Sequence, residues 1–122
     1  MKLNLSLCVF IALGAGCASD TDDRPVSFNY IHAAILKPNC ATSGCHSTLN
    51  KTHGVDLQDR DSAYLVFQQS YPTDGSEPRY QEIVQLLRGE VANFHRMPPD
   101  QPLPDADIDL VERWKNAGLQ DN

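Results

Sequence analysis

Positive charge is scarce in this chain: ten Lys and Arg stand against sixteen Asp and Glu over 122 residues, a formal net charge of −6. The basic residues are scattered, and so acidic a surface repels phosphate, which excludes nucleic acid as a partner. Long apolar runs are scarce too. The stretch Leu3 to Leu13, broken by Asn4 and Ser6, is too short to cross a bilayer as a helix. No segment alternates apolar and polar residues as a half-buried strand does, and no unit repeats, which leaves an all-α fold with long loops. Serine-nucleophile motifs, paired catalytic carboxylates and phosphate-binding glycine loops are all missing, so the common hydrolase and nucleotide-dependent chemistries have no visible machinery. Cysteine is limited to four residues, Cys8, Cys17, Cys40 and Cys45, and their placement carries the rest of the reading.

Lys2 opens a short basic region before the Leu3–Leu13 stretch, and Leu13-Gly14-Ala15-Gly16-Cys17 places small residues ahead of a cysteine. This resembles a bacterial lipoprotein signal: residues 1–16 a secretory signal peptide, Cys17 the lipidated residue, and 17–26 the anchor with an acidic, mobile tether through Asp20, Asp22 and Asp23. Conventional cleavage near Cys17 is the alternative. Cutting before Cys17 leaves 106 residues with 9 basic and 16 acidic side chains, a net charge of −7. The expected location is a bacterial membrane, with the domain facing the periplasm or the cell exterior and the lipid anchor as its membrane contact.

Residues 27–120 form the expected domain. Ser27 is a fair N-cap for a helix over Phe28 to Leu36, with Phe28, Ile31 and Ile35 on one face and Pro38 as its stop. A second helix is predicted over Asp61 to Gln69, capped by Asp61, and a third over Arg79 to Arg88, closed by Gly89. The last runs from Ala106 to Ala117 behind Asp105 as N-cap, and ends at Gly118. Its Ile108, Val111 and Trp114 make one buried stripe, which is expected to pack on the Phe28/Ile31/Ile35 face.

The chemistry concentrates in CATSGCH, where Cys40 and Cys45 precede His46. Two thiols and an adjacent imidazole are what covalent haem attachment uses: the thiols add to the vinyl groups and the tether brings the imidazole under the iron. The spacer here is four residues, Ala41 to Gly44, where two are usual; Ser43-Gly44 supplies a turn for the extra length. Downstream stands Met97-Pro98-Pro99, a soft thioether on a backbone that cannot be helical. Together with the flanking FNYIHAAILKPN and RMPPDQPLPDADIDLVERWKNAG, these motifs resemble small single-haem cytochrome c domains of bacterial secreted and lipid-anchored proteins, over about Phe28 to Leu119. The resemblance implies a cytochrome c-like fold of about four short helices with long loops around a haem pocket. It implies one haem c held by Cys40 and Cys45, with His46 and Met97 as axial iron ligands, and electron transfer to a redox partner protein rather than catalysis.

Three fates remain open for the cysteine pair: haem attachment, a Cys40–Cys45 disulfide, or a metal site completed by His46 and His53. His53 is also a spare distal ligand, ahead of His32 and His95. Without Met97 on the iron, an open-site haem enzyme becomes the reading; without haem, a lipid-anchored interaction module. Arg79, Arg88 and Arg96 are candidates for haem propionates or plain surface residues, and Tyr64, Tyr80, Phe94 and Trp114 are read as packing.

Overall fold

A computed structural model describes residues 22–122, so the signal peptide (1–16), the lipidation site Cys17 and the first part of the tether lie outside the described residues. Among the described residues the regular structure is helical, and no helix is long and apolar enough to cross a membrane.

The chain begins with one continuous helical rod in three parts: α1 (Phe28–Ile31), a π-helical stretch (His32–Leu36) and α2 (Lys37–Cys40). The Ser27 side chain caps it, accepting from the Tyr30 amide. The predicted stop at Pro38 is corrected. The proline sits inside the rod, where the widened turn before it relaxes the crowding a proline ring imposes on the preceding turn. The rod therefore runs on to deliver Cys40.

Then comes α3 (Arg60–Ser70), whose cap is Asp59 rather than Asp61: the Asp59 carboxylate accepts from the Ser62 amide at 2.9 Å. The third helix is shorter than expected, α4 being Ile83–Arg88, and it ends at Gly89 with φ 75°. The last, α5 (Asp105–Asn116), starts behind Pro104, so Asp105 stands in its first turn instead of capping it. Asp105 and Asp107 near its start, and Arg113 and Lys115 near its end, both oppose the helix dipole. Its C-terminus closes with Gly118 donating to Lys115 and Leu119 to Trp114, with Gly118 at φ +100°.

The expected pairing of the first and last helices is present. Phe28, Ile31, Ile35, Ile108, Val111 and Trp114 are all fully buried in one core. The rings of Phe28 and Trp114 lie 4.9 Å apart, and Phe67 of α3 meets Trp114 edge-on at 5.3 Å. Tyr64 borders the same cluster and donates its hydroxyl to the Leu119 carbonyl. Trp114 Nε1 donates to the Gln120 carbonyl at 2.9 Å, and the Asn122 carbonyl and side chain accept from the Asn29 and Phe28 amides. The end of the described chain thus caps its first helix. Phe94, read as packing, is instead half exposed, at 53 %.

The tether, expected to be solvated and mobile, is pinned where it is described. Arg24 pairs with Asp22 and Asp107 and donates to the Ala106 carbonyl, and Arg113 reaches Asp22 at 2.8 Å. These contacts fasten residues 22–24 to α5.

Because Trp114 is enclosed by aromatic rings, Trp114→Ala is expected to cost about 3–5 kcal/mol of folding stability. Urea unfolding followed by far-ultraviolet circular dichroism checks it, and a loss under about 1 kcal/mol would count against this aromatic closure.

Candidate functional site

The rod carries Cys40 into the core, and the next residues turn at once. Ala41 donates to Lys37, Cys45 to Thr42, and His46 to the Cys40 carbonyl at 3.1 Å, so the four-residue spacer closes on itself. Thr42, Ser43 and Gly44 are exposed, with Gly44 at φ +91° and open space beside its α-carbon. The extra spacer length therefore loops into solvent.

Both thiols are free, Cys40 buried and Cys45 exposed. Burial, with a smaller contribution from the neighbouring Cys45, pushes the Cys40 thiol up to about 12. His46 is half-buried. Burial also pushes its imidazole below the ordinary histidine value, with nearby backbone groups of Val55 and Thr52 opposing and His53 assisting. Its Nδ1 is enclosed and has no hydrogen-bond partner among the described residues. An atom so enclosed cannot meet a ligand from outside, which leaves Nε2 as the ring nitrogen able to bind one.

The segment after His46 has almost no regular structure, yet it is tied at every turn. Leu57 donates its amide to the His46 carbonyl at 2.8 Å, while its own carbonyl meets His32 Nε2 at 3.1 Å. His32, a low-ranking ligand candidate, is therefore a buried structural residue linking the rod to the His46 segment. Thr52 caps Cys45, giving its carbonyl both an amide and a hydroxyl donor. Lys51 and His53 occupy left-handed backbone, at φ 41° and 57°, a conformation that side-chain-bearing residues adopt at a cost. His53 is exposed.

Asp56, buried, is the hub of this segment. Its carboxylate accepts from the amides of Gln58 and Asp59 and the Thr48 hydroxyl, and Lys51 stands 3.5 Å away. Burial disfavours its charge, but these donors together outweigh burial and hold the carboxyl below its ordinary value. Sequence reasoning missed this residue; the signal was an aspartate two and three residues ahead of turn amides.

Met97 comes from the other long loop. It is half-buried against the apolar core that contains Cys40, and its amide donates to the Leu86 carbonyl at the end of α4 at 3.2 Å. Arg96 beside it donates from Nε to the Leu87 carbonyl at 2.9 Å. Arg88 is committed to Asp109 and Glu112, and Arg79 to Gln69 and the face of Tyr80. His95 is exposed.

A cavity of about 220 Å3 opens elsewhere, among Tyr64, Gln68, Tyr71, Thr73, Gly118 and Leu119. None of the predicted site residues lines it. Among the described residues no three His, Cys, Asp or Glu side chains converge to hold a metal ion. The zinc alternative, which needs four such ligands at one point, lacks its ligand set. A haem asks less of the protein: two thiols to hold the porphyrin and two axial donors of different softness. The free Cys40 and Cys45 and the adjoining His46 supply the two thiols and one nitrogen donor, while Met97, on the other loop, packs at the edge of the core that contains Cys40. Comparison with family models, curated proteins and solved structures found no match.

Two outcomes follow from this geometry. Iodoacetamide under native conditions should label Cys45 well before Cys40, with both reacting equally in urea; mass spectrometry of the labelled peptides checks it. Asp56→Ala should cost about 1–3 kcal/mol by stripping the acceptor from two amides. Since the folded carboxyl sits below its ordinary value of 3.8, its stabilising share is complete above that pH and is lost as pH falls through the folded value. Urea titrations from pH 7 downward should therefore show wild type and Asp56→Ala converging in acid.

Proposed function

We propose that this chain is an electron-transfer protein of the c-type cytochrome kind, binding one haem c through Cys40 and Cys45 with His46 and Met97 as axial ligands. The observation that carries the reading is the turn itself: two free thiols, Cys40 and Cys45, followed directly by the half-buried His46, whose amide closes the spacer on the Cys40 carbonyl. Bound there, a haem would supply one-electron chemistry, and a thioether donor such as Met97 would raise its potential.

The chain's own residues then divide the work. Cys40, buried, and Cys45, exposed, are the two thiols that would hold the group. His46 is held through its backbone, its amide donating to the Cys40 carbonyl and its carbonyl accepting from the Leu57 amide. Met97 stands at the edge of the core on a loop docked to α4. With His46 and Met97 both engaged by the group, no substrate would meet it, and an electron carrier rather than a catalyst would result. Its partner is a redox protein. The lipid anchor at Cys17, the export signal and attachment to a bacterial membrane belong to this same reading and rest on the sequence alone.

Expression in a host that attaches haem to exported cytochromes, followed by a pyridine haemochrome spectrum, tests it. A c-type band is expected for wild type and not for the Cys40→Ala/Cys45→Ala variant. Met97→Ala should keep the haem but bind cyanide at least about tenfold more tightly, with a lower potential. A protein that takes up no haem is instead an interaction module. Equal cyanide binding by wild type and Met97→Ala would transfer the distal role to His53 or leave an open-site haem enzyme.

A further inference from the structure

We propose that Arg96 is the positioning residue for Met97, acting through a hydrogen bond from its Nε to the Leu87 carbonyl with its side chain laid across Gly89. This rests on the reading of Met97 as an iron ligand.

A helix of any length leaves its last carbonyls without partners. In α4 the Gly89 turn resolves two of them: the Glu90 amide bonds the Gln85 carbonyl at 2.9 Å and the Gly89 amide bonds Leu86 at 3.2 Å. The Leu87 carbonyl is the next in line. Leu87 is only 4 % exposed, so water is a poor substitute, and the donor that reaches it is Arg96. One residue on, the Met97 amide shares the Leu86 carbonyl at 3.2 Å. Two consecutive residues of the loop therefore dock on two consecutive carbonyls of the helix end, one by side chain and one by backbone.

Gly89 completes the device. Its φ of 75° suits glycine, and a β-carbon added there would stand 3.3 Å from the β-carbon of Arg96 and 3.4 Å from two further atoms of its side chain. The Arg96 stem thus occupies the space that the glycine leaves open. Arg96 makes no ion pair among the described residues, so its role here is that of a directional donor. A rival role, balancing an anionic haem propionate, would depend on charge instead.

Two substitutions separate these roles. Gln carries a nitrogen donor on its δ-carbon as Arg does, without the charge, whereas Lys keeps the charge and has a carbon at that position. In the haem-free protein, hydrogen exchange at the Met97 amide should accelerate at least about tenfold in Arg96→Lys and stay within about threefold of wild type in Arg96→Gln. In the haem-loaded protein, Arg96→Lys should bind cyanide about tenfold more tightly and lose intensity in the methionine-to-iron(III) charge-transfer band, while Arg96→Gln resembles wild type. Gly89→Ala should behave as Arg96→Lys does. The inference is overturned if Lys matches wild type in amide exchange, or if Gln fails as Lys does. Failure to take up haem would sink the functional reading, while the exchange measurement would still decide the role of Arg96.

Discussion

The contact on which the domain depends is that of Phe28 with Trp114, because it joins the first helical rod to the last helix and closes a fold with no sheet among the described residues to organise it. Phe67 and Tyr64 of α3 complete the cluster around this pair. An aromatic side chain removes some 150–250 Å2 from water, and at about 25 cal/mol per Å2 each ring is worth several kcal/mol before entropy is counted. In a domain of this size, where little surface is buried per residue, four converging rings are a large share of the total. The outer side of the cluster is sealed by the Arg60 guanidinium over Phe28 at 4.9 Å and by the pairing of Arg60 with Asp121.

Away from the aromatic cluster, the loops that hold the candidate site are secured differently. Few of their side chains are buried, and what holds them is the capture of backbone polar groups at defined points. Leu57 bridges His32 and His46, Asp56 gathers two amides and a hydroxyl, and the end of α4 takes up Arg96 and Met97. Such bonds each contribute little net stability, but breaking one leaves a shielded group unpaired, so each of them specifies position more than it adds strength. The left-handed Lys51 and His53 show the cost the chain bears to keep this path.

How much of this the sequence disclosed varies with the kind of signal. The Ile108/Val111/Trp114 stripe and the glycine stops at Gly89 and Gly118 were legible, because helical periodicity and left-handed caps are local properties of the chain. The grouping of Cys40, Cys45 and His46 was legible for the same reason of adjacency. The caps differ from expectation for two reasons: at α3 the neighbouring Asp59 and Asp61 offer equivalent side chains and only the backbone turn decides between them, and at α5 Pro104 holds the cap position with no side-chain hydrogen bond at all. Asp56 left only a weak local signal, an aspartate just ahead of turn amides, whereas the docking of Arg96 and the Asp22/Arg24 clasp on α5 were illegible, since they depend on partners distant in sequence or on one helix carbonyl left over after the others were satisfied.

The continuation of the rod through Pro38 belongs to the same class and bears most directly on the site. At about 100° per residue, a pure α-helix starting at Phe28 would place Asn39 near the centre of the buried face and turn Cys40 well away from it. The observed burial is the reverse, with Asn39 exposed and Cys40 buried beside Ile35 and Leu36. A π-helical turn takes more residues per turn, so five residues in that form rotate everything after them backward by most of one residue's step. That rotation carries Asn39 off the core face and Cys40 onto it. Lys37 bonds the His32 carbonyl in the widened pattern, and the Asn39 side chain donates to the Ile35 carbonyl at 2.7 Å. Pro38, which has no amide to donate, is thereby accommodated by the same widened turn that brings the Cys40 thiol to the core.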